Sequence, residues 1–193
     1  MKKIIVLSVV VLSTIYGYTQ NSSATPVASP FPKAMEAVLH DYTGNFYNIS
    51  GELVAREVET ESYISTIQLP GAAECLVTRY HSKEDISASW QAKMFRSEDF
   101  AQAARQYKEF YNRLKSCYLR LQDGSSIYLK GEWEEPKEEN AFTVSIFRLA
   151  TTDLRYSELK IELEMLYQLD QWVVNINVVS KKKDTLEGAG DTK

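Results

Sequence analysis

Histidine and cysteine are both scarce, and the 193 residues hold only two of each. A structural zinc site takes four such ligands in paired spacing, so His40, His81, Cys75 and Cys117, all far apart, give no sequence basis for one. A Cys–His nucleophile would have to come from the same residues. Cys75 and His81 share one strand-like run, and their six-residue separation is roughly 20 Å at about 3.3 Å per residue, beyond hydrogen-bond reach. No short nucleophile motif accompanies either cysteine. The acidic run Glu132, Glu134, Glu135, Glu138 and Glu139 lacks the ordered Asp/Asn/Gly spacing of a calcium loop and reads as a solvated hairpin tip. Glu57, Glu59 and Glu61 alternate like one exposed strand face. No catalytic set, no metal ligands and no cofactor motif emerge, and a hydrolase built from scattered carboxylates, tyrosine and His40 is the remaining enzymatic reading.

Basic residues are outnumbered, with 22 Lys plus Arg against 26 Asp plus Glu. Affinity for phosphate backbones and anionic lipid depends on Lys and Arg displacing counterions, so nucleic acid is excluded as an expected partner. Long apolar runs are missing too. The run Ile4 to Leu12 covers nine residues, against the roughly 20 that a spanning helix needs.

That run does have the layout of a secretory signal. Lys2 and Lys3 precede it, and small and polar residues follow from Ser13 to Ala24. Gly17 with Thr19, or Ser22 with Ala24, can flank the cleavage point. The expected organisation is a signal peptide over 1–24, a Pro-rich tether over 25–32, one α+β domain over 33–180 and a flexible tail over 181–193. The expected location is periplasmic or extracellular, with no integral membrane part after cleavage. Loss of the leader removes only Lys2 and Lys3, leaving 20 basic against 26 acidic side chains and a charge of −6. In an oxidising compartment an isolated cysteine pair is expected to bond, so Cys75 and Cys117 form a structural disulfide candidate, with two separate buried thiols as the alternative. Closing that loop would stabilise by roughly 4 kcal/mol.

Within the domain the apolar period switches in a regular order. Met35, Val38, Leu39 and Tyr42 fall on one helical stripe over about 33–45, with Gly44 and Asn45 as a stop. Strand-like runs follow at about 51–58, 62–69, 74–81 and 86–95, punctuated by the turn Pro70-Gly71. Ser97 then caps a second helix, with Glu98 and Asp99 at its positive end. Its stripe is Phe100, Ala103, Ala104, Tyr107, Tyr111, Leu114 and Tyr118, and Asp123-Gly124 ends the segment. Four more runs follow at about 126–133, 141–149, 158–167 and 171–180. Leu159, Ile161, Leu163, Met165 and Tyr167 alternate with acids and Lys160, as in an antiparallel sheet buried on one face. The expectation is two helix-plus-four-strand units, a possible pseudo-duplication, with both helices on one face of the sheet.

This order resembles the TATA-binding-protein-like saddle and the small α+β fold of type III secretion chaperones. The phrases Gly44-Asn45-Phe46 through Gly51, and Leu69-Pro70-Gly71-Ala72, resemble those of exported proteins in gliding and soil bacteria. The resemblance implies the architecture only, since secretion chaperones carry no export signal and DNA-binding saddles are basic.

Tyrosine is abundant, with 12 in the chain. Tyr107, Tyr111 and Tyr167 follow core periods, whereas Tyr80, Tyr128 and Tyr156 read as partly exposed. Tyrosine suits both sheet packing and recognition surfaces. The functional expectation is a non-catalytic exported binding module that recognises a peptide, protein or hydrophobic ligand on its sheet. The alternative is an envelope structural or assembly factor acting as an oligomer through a sheet edge.

Overall fold

The structure is a computed structural model describing residues 30–81 and 87–180. The expected signal segment, the first part of the expected tether and the expected tail lie outside the described residues.

The first helix, α1 (Pro30–Asp41), begins on Pro-Phe-Pro, earlier than its apolar stripe alone indicates. Proline is compatible with a first helical turn because the N–H groups there have no intrahelical partner anyway. Phe31, Met35, Val38 and Leu39 are buried along it. A 3-10 turn (Tyr42–Gly44) then closes on Asn45 in the left-handed conformation. Strands β1 (Ser50–Arg56), β2 (Thr60–Ser65), β3 (Glu74–Tyr80) and β4 (Ala88–Ser97) follow.

The second helix, α2 (Phe100–Lys115), is capped by Asp99, whose carboxylate accepts the Gln102 N–H. Ser97, the expected cap, instead accepts the Asp99 N–H one step earlier. Ala103, Tyr107, Phe110 and Leu114 form the buried stripe. After α2 come β5 (Tyr118–Arg120), β6 (Ser126–Glu132), β7 (Phe142–Leu149), β8 (Lys160–Gln168) and β9 (Gln171–Ser180).

All nine strands join one antiparallel sheet in the order β1-β2-β3-β4-β9-β8-β7-β6-β5. The second half therefore carries five strands, where four were expected. The extra one, β5, occupies residues that the periodicity assigns to the end of α2. Ser116 folds its hydroxyl back onto the Arg113 carbonyl as α2 stops. The turn at Asp123-Gly124, with Gly124 at φ 83°, then lets Tyr118–Arg120 pair with Ser126–Tyr128. A tight turn flanked by β-prone residues forms a hairpin in preference to another helical turn.

Both helices pack on one sheet face. α2 crosses β4, β6, β8 and β9, and α1 lies against β5 and α2. Trp90, Ala92, Ile161, Leu163, Val174, Ile176 and Phe147 form the floor of the core. Tyr107 sends its hydroxyl to Ser145 Oγ at 2.8 Å, burying a polar tip with a partner. Gly131 has no Cβ because the Phe147 ring occupies the space one would take.

The expected disulfide is absent: Cys75 and Cys117 are separate buried thiols. Cys75 lies on β3, and the Cys117 carbonyl accepts the Leu129 N–H of β6. These strands stand five positions apart in the sheet, on the order of 20 Å along it at about 4.8 Å per strand, whereas a bridge needs Cα atoms within about 7 Å. Each sulfur has its own partner, Cys75 Sγ accepting the Leu69 N–H and Cys117 S–H donating to the Arg113 carbonyl, both at 3.4 Å. Burial pushes the Cys75 thiol up and the Cys117 thiol up to about 12. Tyr156, read as partly exposed, is buried and stacks on Tyr42.

Candidate functional site

Neither helix lies on the opposite face of the sheet, and among the described residues no other element covers it. Strand alternation sends every second side chain there, and the register lines these side chains into rows across the strands. One row runs Ile64, Leu76, Gln91, Asn177, Glu162, Ile146 and Glu132. The next runs Glu74, Lys93, Asn175, Glu164 and Val144. A third runs Ser62, Thr78, Ser89, Val179 and Lys160.

The centre of this face is polar and its flanks are mixed. Gln91 donates from Nε2 to Asn177 Oδ1 at 2.8 Å. Asn177 also hydrogen-bonds Glu164. Burial raises the Glu164 carboxyl above its ordinary range and neighbouring Glu162 adds to this, while the Asn177 hydrogen bond and Lys160 oppose it. The other charges are paired among themselves: Lys93 with Glu74 at 2.7 Å, Lys160 with Glu162 at 2.5 Å, and Arg148 with Glu132 at 3.1 Å. Ile64 and Leu76 on one side, and Val144, Ile146 and Leu166 on the other, are half-buried apolar positions.

Asn175 is the exception to this pairing. It is only 7% exposed between Lys93 and Glu164 of the flanking strands, and its Oδ1 has no hydrogen-bond partner. A buried amide oxygen left unpaired costs roughly 1–3 kcal/mol. Two recesses notch the same face, and Asn175 lines neither. One of about 360 Å³ is lined by Tyr80, Ser89, Gln91 and Asn177, and one of about 470 Å³ by Arg148, Glu158 and Lys160. Glu162 and Val179 belong to both.

No family matches. Neither a protein-family model, nor a curated protein, nor a solved structure matches the chain. The geometry of this face and of one further cavity therefore carries the functional argument alone.

The further cavity, of about 340 Å³, lies at the margin of the helix-bearing side, where β1, β2 and β3 meet the loop after α1. Glu61 is its best-organised group. It accepts the Tyr63 hydroxyl at 2.6 Å, pairs with Arg56 at 2.8 Å, and has His81 Nε2 at 3.2 Å. These donors hold its carboxyl below the usual range, with the Tyr63 hydrogen bond first. Glu57 lies in the turn before β2, so the three alternating glutamates do not form one face.

His40 sits at the exposed end of α1, 3.8 Å from Glu36, and does not join His81. The acidic run occupies the end of β6 and the link to β7, where Glu132 pairs with Arg148 and Glu135 accepts the Trp133 indole N–H. Among the described residues no group of three or more His, Cys, Asp or Glu converges, and no helix is long and apolar enough to cross a membrane. The sequence reading passed over Asn175 and Asn177. Their signal was the pair of amides on alternate positions of an otherwise apolar strand, Trp172 to Val179.

Proposed function

We propose that the chain is a non-catalytic binding module that takes a peptide or protein segment on the uncovered face of its sheet. The observation that carries this is the unpartnered Oδ1 of Asn175 at the centre of that face. That oxygen has less than 1 Å² of exposed surface, so a ligand N–H recovers the hydrogen bond the free protein lacks when the side chains beside Asn175 turn aside on binding. The charges around it are mutually paired, so the face has no strong field to offer an ion. Its apolar flanks suit side chains instead. A neutral chain of amides with apolar side chains meets all three conditions. A purely hydrophobic ligand would leave the Asn175 oxygen unpartnered and cut the half-buried Glu164 carboxyl off from water, at a cost. Catalysis would need groups within reach of one another and tuned to the task, and among the described residues His81 pairs with one carboxylate, Glu61.

The last strands of the halves, β4 and β9, are the central pair, and each half runs outward from it. This supports two related units, the second enlarged by β5. Export, as the leader implies, would place the module outside the cytoplasm.

The test is titration of labelled protein with uncharged, blocked peptides containing Leu or Val, followed by NMR. Shifts should centre on the side-chain amides of Asn175, Asn177 and Gln91, and Asn175→Leu should weaken binding about tenfold, the worth of one buried hydrogen bond. Peptide shifts confined to other surfaces would remove the basis for the reading.

A second reading rests on the β1 edge, where Leu53 and Val54 are exposed and Val58 in the adjoining turn is 99% exposed. An open edge with apolar side chains is a template for pairing, here as an envelope assembly factor. Light scattering that shows concentration-dependent dimers, abolished by Val54→Lys, would favour it over the binding module.

A further inference from the structure

A cation with an unused binding capacity sits on the opposite side of the sheet from the proposed peptide face. Arg79 lines the cavity formed by Tyr47, Ser50, Glu61, Tyr63 and His81. Its Nη2 donates to Ser50 Oγ at 2.9 Å, and its guanidinium lies 4.6 Å from the Tyr47 ring centre and 5.7 Å from that of Tyr63. Among the described residues no carboxylate pairs with it, although Glu61 lines the same cavity. Glu61 is committed elsewhere, to Arg56, Tyr63 and His81. Four of the five guanidinium donors are thus without a protein acceptor among the described residues.

The cavity is also held at some conformational expense. Tyr47 reaches Arg79 because the backbone just before it turns through the left-handed region at Asn45 (φ 51°) and Phe46 (φ 57°). A bulky residue there is strained, and strain of this kind concentrates at functional sites. Two anchors hold it in place. Phe46 is fully buried, and Asp41 accepts the backbone N–H groups of Asn48 and Ile49 at 2.9 and 3.1 Å.

We propose that this cavity is a binding site for a carboxylate monoanion, gripped by the Arg79 guanidinium between the Tyr47 and Tyr63 rings. Charge points to the class. Among the described residues, the Arg56 and Arg79 guanidinium groups against the one Glu61 carboxylate leave a positive charge without a counter-ion, which a carboxylate matches. A phosphate dianion would bring a second negative charge beside Glu61, with no further guanidinium lining the cavity among the described residues to meet it. Guanidinium and carboxylate are also geometrically matched for paired hydrogen bonds, and aromatic walls suit a ligand whose acid is attached to a flat or apolar body. The acid can belong to a free small molecule or to the C-terminus of a peptide, and the chemistry at Arg79 is the same. This site is separate from the peptide face and does not depend on it.

The experiment follows the Arg79 Nε–H and the Ser50 amide by NMR in the full chain during titration with benzoate, its neutral counterpart benzamide, inorganic phosphate, and one peptide with a free or an amidated C-terminus. Saturable benzoate shifts without benzamide shifts are expected. Arg79→Gln should weaken benzoate at least tenfold, the equivalent of about 1.4 kcal/mol. Arg79→Lys keeps the charge but loses the fork, so it should weaken benzoate several-fold. It decides the matter if the glutamine variant does not fold. A free-acid peptide that outcompetes benzoate while its amide does not identifies a chain terminus as the source. Benzoate binding with no peptide preference identifies a free acid. No saturable shift, phosphate binding tighter than benzoate, or equal binding by the Arg79 variants would overturn the proposal. Peptide shifts at Asn175 report the other face independently, so the two readings fail separately.

Discussion

Replacing Asn175 with Leu tests the central observation directly, because the expected sign is opposite to that of most core substitutions. Asn175 is 93% buried, since it is 7% exposed, and its Oδ1 is unpartnered. Removing that oxygen relieves a desolvation penalty of roughly 1–3 kcal/mol, while a near-isosteric apolar side chain keeps the packing. Loss of amide polarity beside Lys93 and Glu164 takes back part of the gain, leaving about 1 kcal/mol of stabilisation. For a domain of this size that raises Tm by about 2–4 °C. The control is Asn177→Leu, one row away. Asn177 is comparably buried but accepts from Gln91 and bonds Glu164, so the same change should destabilise by about 2 kcal/mol. Urea unfolding with unchanged m-values measures both. If Asn175→Leu destabilises as Asn177→Leu does, the oxygen has a partner and the argument for an unmet acceptor collapses.

The raised carboxyl of Glu164 means that the fold disfavours its ionised form. Stability is therefore lost as pH rises from the ordinary glutamate range through the folded value, and Glu164→Gln should gain on wild type over that interval and match it near about pH 3. A difference that stays constant with pH would refute this. Glu61 has the opposite sign, because its depressed carboxyl gives stability that is present above the ordinary range and disappears as acid protonates it. Glu61→Gln should therefore flatten the acid limb of the pH–stability curve. Both thiols are buried and raised, so thiol reagents should modify neither in the native protein and both after denaturation without reductant. One disulfide by mass would contradict the structure. Asp41→Ala removes the acceptor for two backbone N–H groups and should cost about 2–4 kcal/mol, with a circular-dichroism melt as the check.

Local pattern carried much of the architecture. The alternation from Leu159 to Met165 marks β8 and its buried face, because an antiparallel strand with one dry side leaves that signature in any context, whereas Tyr167, expected on the same face, is 46% exposed near the strand end. The α2 stripe and the hairpin at Gln168–Gln171 were legible for the same reason. Two misses came from competition between local and distant partners. The period over 100–118 continues helically, yet Tyr118–Arg120 gains a strand partner across the Asp123-Gly124 turn, and only pairing with β6 decides between them. Cysteine count and compartment suggested a bridge, but strand order sets Cys75 and Cys117 five strands apart, and no one-dimensional spacing encodes strand order.

The candidate sites show the same division. Apolar periodicity alone is enough to show that one sheet face is apolar and that helices shelter it. It could not say that Asn175 ends without a partner while Asn177, two residues on, is satisfied, because that depends on Gln91 standing opposite one and Lys93 opposite the other. Nor could it separate Arg79 from the other basic residues. Which charges meet their counter-ions is decided by register and loop path, and these are set when β1, β2 and β3 pair and the strained turn at Asn45–Phe46 lays Tyr47 over the guanidinium. Periodicity is written along the chain, whereas pairing across strands exists only once the sheet has formed.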